Sequence, residues 1–359
     1  PDVIVNGGTI DLRTTSGSRS GGFGVVSNAT LALKNGNSVI FTNENVTIAA
    51  SASAFTLNVN RPSGSNTGRT LTLDGPVTTG GPLTFNVTGG NSYIAAISGA
   101  VASVTLGGDI VFNPTTAPLI VSPGITDGGN GYALTKSGTG VLTLNGTNAY
   151  SGPTAILNGT LALGPRGSIS NSPAISIANG KLFDVSAVTG GWTQWVHQTV
   201  SGAGSIRGNA TALGTIRPGD SPGTLTYSNN LTLTDANVEF ELASVGTVGG
   251  GVNDLVDVKG NLTLTGVSTN VIVPWDGPLA SSYTLFTYGG TLTGGAGNLV
   301  GIAGGVRAGY TFTFDTLGTP GSILMNVGGA PAPQSLTWAA GSGAWDVATT
   351  ANWAGGEKF

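Results

Sequence analysis

The chain has 359 residues with a net charge of −4, only 8% charged residues, 61 glycines and no cysteine. That excludes a disulfide framework and any thiolate metal site, and no basic stripe is present to neutralise nucleic-acid phosphates. Hydrophobic residues still make up 39% of the chain and recur in short bursts, unlike a disordered glycine-rich chain. No segment has helical apolar spacing and no run of about 18 apolar residues occurs, so an all-β chain without a transmembrane helix is expected. Pro1, with neither a methionine nor a signal peptide before it, points to a mature product or an excised fragment.

Strands are predicted throughout. Val3-Ile4-Val5, Leu31-Ala32-Leu33, Val39-Ile40-Phe41, Val46-Thr47-Ile48 and the stretch Phe55 to Val59 are each closed by turn residues. Leu71-Thr72-Leu73 and the stretch Leu83 to Val87 follow at irregular spacing. From Ile94 to Val121 the apolar residues become nearly continuous, which predicts covered strands in a thicker region or beneath a loop.

The stretch Tyr132 to Leu163 contains two copies of one pattern, Leu142-Thr143-Leu144 and Leu161-Ala162-Leu163, 19 residues apart. Period-two alternation places Leu142 and Leu144 on one side and Thr143 on the other. Such a strand buries its leucine side by stacking on a copy of itself one repeat later, the logic of a solenoid. The run SGTGVLTLNGTNAYSGPTAILNGTLALG resembles the autotransporter-associated β-strand repeat of secreted bacterial passenger regions. The resemblance implies a right-handed parallel β-helix exported to the cell surface or beyond.

Further on, Ile175 and Ile177 mark another coil, and Thr215 to Leu233 (TIRPGDSPGTLTYSNNLTL) resembles a turn-rich coil found beside such repeats. The aromatics Tyr283, Phe286, Tyr288, Tyr310, Phe312 and Phe314 are expected to close the end of the core. Residues 330–334 read as a Pro/Ala linker. Residues 335–359 form a tail whose Trp338, Trp345 and Trp353 resemble the opening of a further module and are the predicted assembly contacts.

Little in the sequence points to catalysis. His197, the sole histidine, has no nucleophile-elbow sequence to serve and is expected in a loop. Trp192 and Trp195 are expected to fill a corner of the core rather than stack on a sugar. Glu239 and Glu241 share one side of a strand, whereas Asp254 and Asp257 are expected on opposite sides. Flanking apolar residues make the glutamates the polar side of an ordinary strand rather than a glycosidase pair. Asp220, Asp254 and Asp257 lack the calcium-binding nonapeptide array. Asparagines at equivalent turns, Asn145 among them, are expected to stack and share amide hydrogen bonds.

The sequence thus predicts an all-β, right-handed parallel β-helix (β-solenoid) over residues 1–329, of roughly 15 coils and on the order of 70 Å long. The expected role is an extracellular structural or adhesive element without catalytic residues, cofactor or metal. It would form a homo-oligomer or homopolymer, as a fibre or surface layer, and bind no nucleic acid. A polysaccharide-binding or polysaccharide-cleaving β-helix is the second expectation, with cell-surface polysaccharide as its partner.

Overall fold

The computed structural model describes residues 3–13, 22–42, 44–219, 221–274, 278–304 and 309–329. Asp220, the linker and the tail with Trp338, Trp345 and Trp353 lie outside the described residues. Nearly all of the described regular structure is β-strand, with one three-residue 3-10 turn, Ala296–Asn298. The strands form a parallel β-helix whose coils visit three faces in turn.

The repeat shows why. Leu134–Lys136 lies on the first face and Val141–Leu144 on the second. One coil later come Thr154–Ile156 and Thr160–Leu163, paired in parallel with their predecessors. Leu142 sits over Leu161 and Leu144 over Leu163, so the 19-residue spacing is the coil advance. These four leucines are buried, while Thr143 and Ala162 between them turn outward and are half-buried. The same alternation runs along the helix. Phe55, Phe85 and Phe112 form an aromatic column inside the first face, with ring centroids 5.2 and 5.7 Å apart.

The third face begins where the long strand Phe23–Lys34 bends. Its start pairs with Val46–Ile48 and its remainder with Ala54–Asn60. Thr47, Thr78, Thr105 and Thr126 then stand in register. Thr147 pairs with Ser168 in the middle of the chain. Thr193, Thr211, Thr232, Thr263 and Thr293 continue in register on later coils.

The abundance of glycine follows from how closely the coils approach. A Cβ at Gly124 would lie 2.2 Å from the Thr147 carbonyl oxygen, and one at Gly152 would lie 2.3 Å from that of Tyr132. Neither position has room for a side chain.

Several expectations need correction. The second sheet has 13 strands, the last two of which form an antiparallel hairpin, so the rod has about a dozen coils rather than 15. At about 4.8 Å per coil it is roughly 55 Å long. Coil length is elastic, from Thr199 over Thr215 to Asn237 over Thr269, because excursions sit at the corners. The apolar run from Ile94 to Val121 is not a covered region. Ile110 and Phe112 point inward and Val111 outward, and Val101 is exposed.

Asparagine stacking occurs, but Asn145 only reaches Ser122 Oγ at 3.5 Å. A continuous ladder runs elsewhere: Asn209 Oδ1 accepts the Asn230 N–H, Asn230 Oδ1 that of Asn261, and Asn261 Oδ1 that of Thr291. It links side chain to backbone, because the next coil's N–H is the donor left free at a corner.

At the C-terminal end, Ser282–Tyr288 pairs antiparallel with Ser322–Gly328, which pairs antiparallel with Thr311–Asp315. Tyr283 and Phe286 are buried, while Tyr288, Phe312 and Phe314 pack against the core from partly buried positions. This hairpin occupies the edge of the second sheet that would otherwise accept a further strand.

Phe85→Ala removes the middle ring of the aromatic column. It is expected to cost about 3–5 kcal/mol, read as a lower denaturation midpoint. A change below ~1 kcal/mol would mean that the column contributes little to packing.

Candidate functional site

The alternation that buries the core decides which groups are left for function: the outward positions of each face and the turns at the corners. One concave set lies on the first face, where Ser201, Arg217 and Glu239 occupy outward positions of successive strands Thr199–Gly202, Thr215–Pro218 and Asn237–Leu242. With Gly219, Ser221, Glu241 and Asp254 they line a groove of about 230 Å³.

The chemistry of this groove is that of a clamp. Arg217 Nε and Nη2 donate to the two carboxylate oxygens of Glu239 at 2.6 and 3.0 Å. Glu239 and Glu241 share a side of their strand, but Glu239 is committed to Arg217, so the two do not form a free carboxylate pair. Asp254 is buried; its Oδ1 accepts the Gly223 N–H and its Oδ2 the Glu241 N–H, each at 2.7 Å. It therefore ties the Pro-Gly turn to the neighbouring strand. Burial pushes its carboxyl up to about 7, with the nearby Glu241 charge adding to the rise. Asp257 instead faces outward on the second sheet, 2.5 Å from Lys259 Nζ and accepting from Thr287 Oγ1.

Asn253, next to Asp254, holds the excursion between the first and second faces. Its Oδ1 accepts the Ala243 N–H at 2.6 Å, and its Nδ2 donates to the carbonyls of Val245 and Thr247 at 2.7 and 2.6 Å. Asn253 and Asp254 together close a loop that carries exposed Val245 and Val248.

Two further buried charges fall in or beside the repeat. Asp127 is buried; it accepts the N–H groups of Gly129, Tyr132 and Ser151 and the Ser151 hydroxyl at 2.9 to 3.0 Å. Burial alone would raise its carboxyl, but these donors outweigh that and hold it below the usual carboxylate range. Lys136 faces inward two residues after Leu134, and burial pulls its ammonium down to about 8. It donates to the carbonyls of Ser137, Gly138 and Asn158, so it fastens one corner to the next coil. Lys136 bonds only backbone carbonyls, and Asp127 bonds three backbone N–H groups and the Ser151 hydroxyl.

His197 is exposed, with Nε2 2.8 Å from the Ser170 carbonyl oxygen. Trp192 is buried edge-on against Phe183 with ring centroids 5.1 Å apart, as a corner filler. Trp195 departs from that expectation: it is 46% exposed beside Val196 at 72%, because alternation turns it outward when Gln194 points in. No group of three or more His, Cys, Asp or Glu residues able to hold a metal ion occurs among the described residues.

The third face differs from the other two. None of its strands, from Val46–Ile48 to Leu292–Thr293, carries a charged residue. The described ion pairs lie elsewhere, at Asp11, Asp184, Glu239 and Asp257.

Three-faced parallel stacking, coil upon coil, defines a repeat-built parallel β-helix. Residues 134–163 match the passenger-associated-transport-repeat family. On the structure, that match covers two consecutive pairs of first-face and second-face strands, one coil and about half of the next. The Adhesin BmaC autotransporter of Brucella suis biovar 1 (strain 1330) is 30% identical over 191 residues, 51% of this chain. The chain spans about 5% of that relative's length. The repeat match and this relative support an autotransporter passenger-type repeat protein, secreted and located at the bacterial cell surface.

Asp254 sets a pH dependence of stability. Between the ordinary carboxylate value of 3.8 and about 7 the folded chain keeps a proton that the unfolded chain has lost, so stability falls as pH rises through that window. Thermal denaturation of Asp254→Asn at pH 4 to 8 is expected to show a flatter profile than the parent. An unchanged slope would remove Asp254 as its source.

Lys136→Met keeps the bulk of the side chain but leaves three carbonyls without their donor. It is expected to lose about 1–3 kcal/mol in chemical denaturation at pH 7. A gain in stability would show that the buried charge costs more than its hydrogen bonds return.

Proposed function

We propose that this segment is a non-enzymatic adhesive rod that presents its outward faces to partners at the bacterial surface and associates with further copies of itself. The observation that carries the reading is the unbroken parallel ladder on the first face from Val3–Leu12 to Leu299–Ala303. Continuous stacking commits the interior to packing and leaves function to the repeated surface. An adhesin among the relatives supports a surface-binding role. The clamped Glu239 supports a chain that does no glycosidase chemistry.

Trp338, Trp345 and Trp353 provide a candidate route to assembly. Deleting residues 330–359 while retaining the coils separates a tail-mediated contact from one made by the faces. Polysaccharide binding is the second reading, favoured by an open groove of about 560 Å³ lined by Asn179, Ser205, Thr224 and Thr226, with exposed Trp195 as a separate stacking platform.

Analytical ultracentrifugation over a hundredfold concentration range is expected to show dimers or larger species. Display of the segment on a non-adherent bacterium should confer attachment to host cells or to like cells. A chain that stays monomeric and confers no attachment contradicts the proposal, and retention on a glycan array without self-association favours the second reading.

A further inference from the structure

We infer that the third face is the surface through which two copies of this chain pack, side by side and sheet against sheet. The inference rests on the proposed self-association and names the contact that produces it. Its basis is a juxtaposition that alternation alone does not require: outward threonines recur in register in two runs, Thr47 to Thr126 and Thr193 to Thr293, with the Thr147–Ser168 pair between them, on a face whose strands carry no charge.

Four observations point to a second copy as the occupant. A repeating surface makes the same contact at every coil only if its partner has the same period, and another β-helix of this chain has that period by construction. The strands of the face lack Asp, Glu, Lys and Arg, so two such faces meet without like-charge repulsion or the desolvation of unpaired ions. The threonines are short and β-branched, and apart from exposed Thr47, Thr147, Thr265 and Thr293 they are already half-buried. Their methyl groups can interdigitate while their hydroxyls bond to one another, as Thr234 Oγ1 and Thr265 Oγ1 already do across neighbouring coils at 2.7 Å. Lastly, a strip on the order of 50 Å by 10 Å on each copy buries roughly 1,000 Å² in total, the size at which specific association begins.

The ends of the rod are less suited to the role. At the C-terminal end the antiparallel hairpin already takes the edge of the second sheet. The first and second faces carry Asp11, Asp184, Arg207, Arg217, Glu239 and Asp257, so copies brought together there would have to desolvate these charges.

The absence of cysteine in the parent makes the test direct. Thr147→Cys puts one thiol at an exposed position near the middle of the third face, where two overlapping copies meet whether they run parallel or antiparallel. Thr143→Cys puts one on the outward side of the second face. With a short bis-maleimide at a concentration where the parent associates, Thr147→Cys is expected to yield a covalent dimer and Thr143→Cys to remain monomeric. The double variant Thr211→Lys/Thr232→Lys, checked for parent-like circular dichroism, is expected to weaken self-association at least tenfold in ultracentrifugation. Association of the parent with cross-linking through Thr143→Cys, or with no effect of the lysines, overturns the third-face contact while leaving self-association standing. A parent that is monomeric throughout overturns both. If the lysine variant fails to fold, the cross-linking result alone decides.

Discussion

Everything in this molecule depends on one constraint: each coil lies flat on the one before it, with like positions in register. A single strand of three or four residues has too little apolar surface to stay folded. When Leu142 rests on Leu161 and Leu144 on Leu163, each supplies the other's missing neighbour, and the interior becomes a column of repeated contacts. The close approach of the coils excludes side chains at several corners, as at Gly124 and Gly152, and accounts for much of the glycine. The same stacking lets a corner amide bond to the next coil, as in the ladder from Asn209 through Asn230 to Asn261. Core, corners and glycine content are three consequences of one geometry.

A molecule built this way has no natural place for a deep active site, because its inward positions are consumed by neighbouring coils. Three of the charges that enter the interior serve the backbone. Asp127 gathers the N–H groups of a tight turn, Lys136 gathers carbonyls at a corner, and Asp254 ties a turn to a strand. Function is left to the surface, where the three faces differ: two carry ion pairs and one is a neutral, hydroxyl-bearing ladder. That partition suits a secreted passenger repeat, in which many coils display one motif many times.

Much of the fold was legible in the sequence because period-two alternation and a repeat distance are local properties. The 19-residue spacing of the leucine pairs is the coil advance itself, and most of the short strands were visible as apolar bursts. What was hidden depends on how three faces meet. The apolar run around Ile110 looked like covered strands because inward residues of several faces follow closely in sequence. Trp195 looked like filler, yet it is turned outward by the phase of its strand. Asn145 was a reasonable candidate for stacking, but side-chain amides share hydrogen bonds at other positions, as where Asn113 Nδ2 donates to Asn86 Oδ1, and the longer ladder runs where the next coil presents a free N–H. The buried charges had a signal that was available: Lys136 follows Leu134 by two, so alternation alone places it inside. The threonine ladder could not be recognised from spacing, since the coil advance changes from turn to turn and only the register aligns its members.

The measurement that bears most directly on the account is a cross-link between register partners on adjacent coils. Thr143 and Ala162 are paired in parallel on the second face, outward and therefore replaceable. The double variant Thr143→Cys/Ala162→Cys is predicted to form an intramolecular disulfide on mild oxidation, with a raised melting temperature, because neighbouring strands hold Cα atoms within about 5–6 Å. Thr143→Cys combined with Asn158→Cys, which is out of register, should not close. Failure of the first pair to close, or equal closure of the second, would contradict the stacked register.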